Sequence, residues 1–97
     1  MSDERRPAAI AWTSGGDATV VRADGVQIRA RSSVPFPPGT PVGGTVRANA
    51  TVAFVVKVTS SRRVANGIWE VRGRLVSPSA ATIAAFARLA EGEAAGY

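Results

Sequence analysis

The chain has no histidine and no cysteine, which removes the commonest general base, the thiol nucleophile and the usual transition-metal ligands. Serine is frequent, but a serine without histidine needs a lysine as its base, and Lys57 is the single lysine. It lies in the apolar run Thr51 to Thr59, which reads as a buried strand. The carboxylates are Asp3, Glu4, Asp17, Asp24, Glu70, Glu91 and Glu93. Most fall in expected turns or tails, and no two are spaced to share a substrate across one helix or strand face. Thr13-Ser14-Gly15-Gly16-Asp17 is glycine-rich, but it lacks the lysine and the following helix of a phosphate loop and reads as a turn. The expectation is a protein that is not an enzyme, with no cofactor and no metal.

Arginine is the remaining chemistry. The net charge of +5 comes almost entirely from it. Guanidinium groups match phosphate oxygens with paired hydrogen bonds, so a phosphate-bearing partner is one reading. A solvated surface in an arginine-biased proteome is the other, and it ranks first. Arg29 with Arg31, and Arg72 with Arg74, each share one face of an alternating segment, which allows a basic stripe across a sheet. Barrels that hold single-stranded nucleic acid usually add exposed aromatics on which bases stack. Trp69, Phe54 and Phe86 read as core, leaving Trp12, Phe36 and Tyr97 as candidates for exposure. Nucleic acid is therefore a minority reading.

The elements that must carry these side chains are mostly strands. Ala8 to Trp12 predicts a short strand and Ala18 to Ala23 a second. Asp24-Gly25 is the strongest hairpin signal, because such residues tolerate positive φ. Val26 to Arg31 alternates, with Val26, Ile28 and Ala30 on one face and Gln27, Arg29 and Arg31 on the other. Pro35, Pro37, Pro38 and Pro41 mark a stiff loop, since each proline removes a ladder donor. Thr40 to Arg47 offers a strand broken at Gly43-Gly44. Thr51 to Thr59, apolar almost throughout, predicts a central strand buried on both faces. Ser60 to Asn66 reads as a polar loop turning at Asn66-Gly67. Ile68 to Val76 alternates again, with Trp69, Val71 and Leu75 inward and Glu70, Arg72 and Arg74 outward.

Ser77-Pro78 reads as an N-cap with proline at the first helical position. Ser79 to Glu91 then predicts a helix, with an apolar stripe of Ile83, Phe86, Ala87 and Ala90 and a C-cap at Gly92. About six short strands with tight turns curl into a small barrel or sandwich, which one amphipathic helix would cover.

At 97 residues, 45% of them hydrophobic and 20% charged, the chain is one globular domain's worth. Residues 9-92 are expected to form it, between a disordered arm at 1-8 and a frayed tail at 93-97. The charged N-terminus leads into no apolar run, and Val52 to Val56 is too short to cross a bilayer, so a cytoplasmic protein without membrane insertion is expected. Abundant alanine, glycine, proline and arginine point to a GC-rich bacterial genome.

The order of these elements resembles a known family. The strand and turn Ala18-Thr-Val-Val-Arg-Ala-Asp-Gly25 lead into Val26-Gln-Ile-Arg-Ala30, followed by the loop Pro38-Gly39-Thr40-Pro41-Val42. A valine-rich strand (Thr51 to Val58), the segment Gly67-Ile-Trp-Glu-Val71 and a closing helix (Ile83 to Ala90) complete the series. The series is similar to the PilZ domain, over roughly residues 17 to 90. The resemblance implies a mainly β fold, a six-stranded β-barrel with one C-terminal α-helix, that commonly binds cyclic di-GMP. The family's RxxxR segment is absent, with Arg5 and Arg6 adjacent in about its place. In its D/N-x-S-x-x-G motif, taking Gly25 as the glycine puts Val20 at the acidic position and Arg22 at the serine; taking Asp24 as the acidic residue shortens the turn. The resemblance thus implies a regulatory adaptor in bacterial signalling, of motility or surface behaviour, acting on a protein partner with weak or no dinucleotide binding. A cyclic di-GMP receptor using Arg5, Arg6, Arg22, Asp24 and Gly25 is the runner-up, and a basic barrel binding nucleic acid comes third.

Overall fold

The computed structural model describes residues 8–95, with side chains as far as Glu91. The elements in chain order are β1 (Ile10–Trp12), β2 (Asp17–Asp24), β3 (Gln27–Ser32), β4 (Pro41–Arg47), β5 (Thr51–Ala65), β6 (Ile68–Leu75) and α1 (Ala80–Ala95). The strands close into an antiparallel barrel in the order β1-β2-β3-β6-β5-β4. This is the mainly β, six-stranded barrel with a C-terminal helix that the sequence predicts. The expected arm at 1-8 falls, apart from Ala8, outside the described residues.

Alternation builds the barrel wall. In β3, Ile28, Ala30 and Ser32 point inward, and in β6 Val71 and Leu75 do the same. β5 obeys this rule too, against expectation. Phe54, Val56 and Val58 are buried while Val55 and Lys57 are exposed, because a barrel this small has one apolar interior and a wet outer face. The predicted loop at 60–66 is also strand as far as Ala65. β6 stays paired with β5 from Val56↔Leu75 to Ala65↔Ile68, and the chain turns only at Asn66-Gly67. Its polar residues mark an outer surface and a projecting hairpin rather than a break.

Two further turn and strand expectations change. The β2–β3 loop is Gly25-Val26, since Asp24 pairs with Gln27, and Gly25 alone supplies the positive φ, at 63°. A two-residue loop with positive φ only at its first position matches a type II′ turn. β4 runs unbroken through Gly43-Gly44. A Cβ on Gly44 would lie 2.7 Å from the Ala11 carbonyl oxygen, so this glycine lets β1 and β4 close the barrel.

The helix starts later than predicted. Ser79, not Ser77, is the N-cap: its Oγ accepts from the Thr82 N–H at 3.1 Å, and its carbonyl accepts from the Ile83 N–H. Ser77 instead takes a positive φ of 46°, turning the chain from β6 toward the helix. The buried stripe is Thr82, Ala85 and Phe86, flanked by Leu89 and Ala90, whereas Ala87 is exposed and Ile83 half-buried. Helix backbone continues past Gly92 to Ala95, so neither the expected cap nor the start of the frayed tail lies there.

Helix α1 rests mainly on β2, with lesser contact to β5 and β4. Phe86, fully buried, meets Phe54 edge-on at 5.1 Å. Phe54 meets Trp12 at 5.9 Å, and Trp12 meets Phe36 of the proline loop at 5.0 Å. Trp12 is therefore core, at 4% exposure, and Phe36 is half-buried against it; Trp69 is only half-buried. Tyr97 lies outside the described residues. No helix among the described residues is long and apolar enough to cross a membrane.

Candidate functional site

Four neighbouring strands, β2-β3-β6-β5, present their outer side chains in three rows. One row holds Arg31 of β3, Glu70 of β6 and Arg62 of β5. The next holds Arg22, Arg29, Arg72 and Ser60, one from each strand. The third holds Asp24, Gln27, Arg74 and Lys57. Lys57, expected to be buried, is exposed here.

Period-two alternation alone would not assemble these rows. Counting from buried Val20, Arg22 would point inward; a bulge between Val20 and Arg22 shifts the register and sets Arg22 opposite Arg29. A second bulge, between Val58 and Ser60, does the same for Ser60 and Arg62. A bulge adds one residue to one strand and reverses the facing of the residues beyond it, and such irregularities gather beside functional sites.

The electrostatics of the face are unbalanced. Arg22 stands directly opposite Arg29, Arg29 opposite Arg72, and Arg74 opposite Lys57. Like charges directly opposite across strands destabilise a sheet. Glu70 offsets part of this: its carboxylate lies 3.8 Å from Arg29 Nε and 3.4 Å from the Arg72 guanidinium. The Glu70 side chain is only 14% exposed, so water screens these contacts less than it would on an open surface. A groove of about 420 Å³ runs between the arginines, with Arg22, Asp24, Arg29, Thr59, Arg72 and Arg74 among its lining residues. Thr59 Oγ1 donates to the Arg72 carbonyl at 3.1 Å, which ties the bulged strand to β6 beside the groove. Such a set can hold anionic oxygens through charge-assisted, paired hydrogen bonds. Among the described residues, no group of three metal-ligating side chains comes together.

Of the residues singled out from the sequence, Arg22 and Asp24 enter this groove and Gly25 forms the turn beside Asp24. Arg5 and Arg6 lie outside the described residues. Sequence reasoning placed Arg29, Arg31, Arg72 and Arg74 outward but did not assign them to the site, because nothing local reveals that β3 lies beside β6. It placed Glu70 outward as well without giving it a role, read Lys57 as buried, and read Arg62 as part of a loop. No family model, curated protein or solved structure matches the chain.

Proposed function

We propose that the chain is a non-catalytic regulatory module, PilZ-like in architecture, that docks a protein partner in bacterial cytoplasmic signalling and binds cyclic di-GMP weakly or not at all. The observation carrying the second half is the make-up of the groove. It offers guanidinium groups for phosphate, but its lining includes no aromatic ring to stack a guanine, and Asp24 is its one carboxylate. A purine dinucleotide needs both its phosphates and its base edges satisfied, and arginines alone meet only the first demand. The closed six-stranded barrel with a trailing helix supports the architectural half.

A receptor reading has one observation in its favour: Arg22 and Asp24 share a groove with three further arginines. Titration calorimetry of the full chain with cyclic di-GMP separates the two. The adaptor reading expects no saturation at micromolar ligand in physiological salt. Saturable micromolar binding that disappears in an Arg5→Ala/Arg6→Ala variant would replace it with the receptor reading.

A further inference from the structure

The chain carries 12 basic residues and 7 acidic ones, a net +5. The three rows on β2-β3-β6-β5 contain seven of the basic residues and two of the acidic ones, Asp24 and Glu70. The rest of the sequence is left with five of each, so the entire net charge belongs to this one face. A charge excess that merely kept a protein in solution would be spread over its surface. Here it is concentrated, and two bulges bring Arg22 and Arg62 into the array.

The extent of the array indicates the size of its ligand. Rows two residues apart put the outer two about 13 Å from each other along the strands, and four strands span about 14 Å. A small anion seated in the groove would leave Arg31, Arg62 and Lys57 unused, since none of them lines it. An extended polyanion uses all three rows. Duplex nucleic acid carries one charge per roughly 1.7 Å of axis, so a length of about 13 Å holds about eight charges over its two strands, enough to supply the phosphates that the array can meet. Of the seven cations, all but Lys57 are arginines, whose planar forks suit phosphate oxygens.

Among the described residues no aromatic ring stands on this face. Trp12, Phe54 and Phe86 are buried, and Trp69 pairs with inward-facing Ser32, which gives it the interior parity. Base stacking is therefore absent, and contact falls on the backbone. We propose that this face binds the phosphate backbone of nucleic acid without regard to base sequence, a function beyond the protein-docking role above. Glu70 acts within it as an internal competitor, holding Arg29 and Arg72 until phosphates displace it.

The test is fluorescence anisotropy of a labelled, mixed-sequence DNA duplex titrated with the full chain over a range of salt. The logarithm of the binding constant should fall against log salt with a slope of about −4 to −5, as about five neutralised phosphates require. Arg22→Ala/Arg72→Ala should reduce that slope by about 2 for every sequence tried. Arg47→Ala/Arg88→Ala, at exposed positions off the face, should leave it unchanged. Glu70→Gln should tighten binding, a gain that a misfolded variant would not show. The proposal is overturned by absence of binding at low salt, or by a slope unaltered in the Arg22/Arg72 variant. Displacement by poly-glutamate as effective as by unlabelled DNA would also overturn it, in favour of an acidic protein.

Discussion

At Ser32 one hydroxyl serves three hydrogen bonds. It accepts from Trp12 Nε1–H at 3.0 Å and from the Val34 N–H at 3.1 Å, and it donates to the Val34 carbonyl at 2.6 Å. An indole buries well only when its N–H finds a partner, so this serine is what allows Trp12 into the barrel. Ser32→Ala strands that donor and is expected to cost about 1–3 kcal/mol, read as a lowered denaturant midpoint. The same geometry sets the fluorescence. With Trp69→Phe, emission comes from Trp12 alone and should be blue-shifted and resistant to iodide. With Trp12→Phe, half-buried Trp69 should be partly quenched. Equal quenching of the two would refute their assignment to different depths. Nothing near Trp12 in sequence signals this, because its partner sits twenty residues away across the barrel.

At the scale of elements, the glycines of β4 separate local propensity from packing. Adjacent Gly43 and Gly44 suggest a broken strand, yet only the second is sterically required. A Cβ at Gly44 would meet backbone at 2.7 Å and the Phe54 ring at 3.2 Å, whereas one at Gly43 would find ordinary contacts of 3.5 Å and beyond. Gly44→Ala should therefore cost about 1–3 kcal/mol through overpacking, while Gly43→Ala should be near neutral. Thermal melts of the pair check this, and equal losses would mean that the close approach at Gly44 is not what sets its requirement for glycine. The helix start makes a parallel case. Ser77 and Ser79 both precede the helical pattern, but the Thr82 N–H bonds to Ser79. Ser79→Ala should lose about 1 kcal/mol of stability, and Ser77→Gly should lose none, because glycine tolerates the positive φ there. A larger loss at Ser77 would return the cap to that position.

For the whole molecule, the edge-on series Phe86, Phe54, Trp12 and Phe36 joins the helix to the proline loop through the barrel interior. Chain segments distant in sequence thus share one core. Phe86→Ala should cost about 3–5 kcal/mol. In a domain this small each kcal/mol shifts the melting point by about 4–8 °C, so the variant should melt roughly 12–40 °C lower. An unchanged melting point would mean that the helix does not seal the barrel. The exterior is organised at this scale as well: the basic face exists only once β3 and β6 lie side by side.

Local patterns determined a good deal. Period-two alternation in Val26 to Arg31 and Ile68 to Val76 set the inward and outward residues of β3 and β6, and the glycine turns at 25 and 67 marked their hairpins. The capped, striped segment predicted α1, and the missing histidine and cysteine removed whole classes of chemistry. The rest depended on pairing. The bulges at Val21 and Thr59 exist only relative to a partner strand, and each reverses which side chains face water afterwards. Alternation read through them would send Arg22 and Arg62 inward. The apolar run of β5 looked buried on both sides because apolarity alone does not reveal whether a second layer covers the outer face; barrel closure left that face to water. Side-chain facing is local until a bulge interrupts it, whereas strand adjacency is set by contacts between residues far apart in the chain, and the basic face required both.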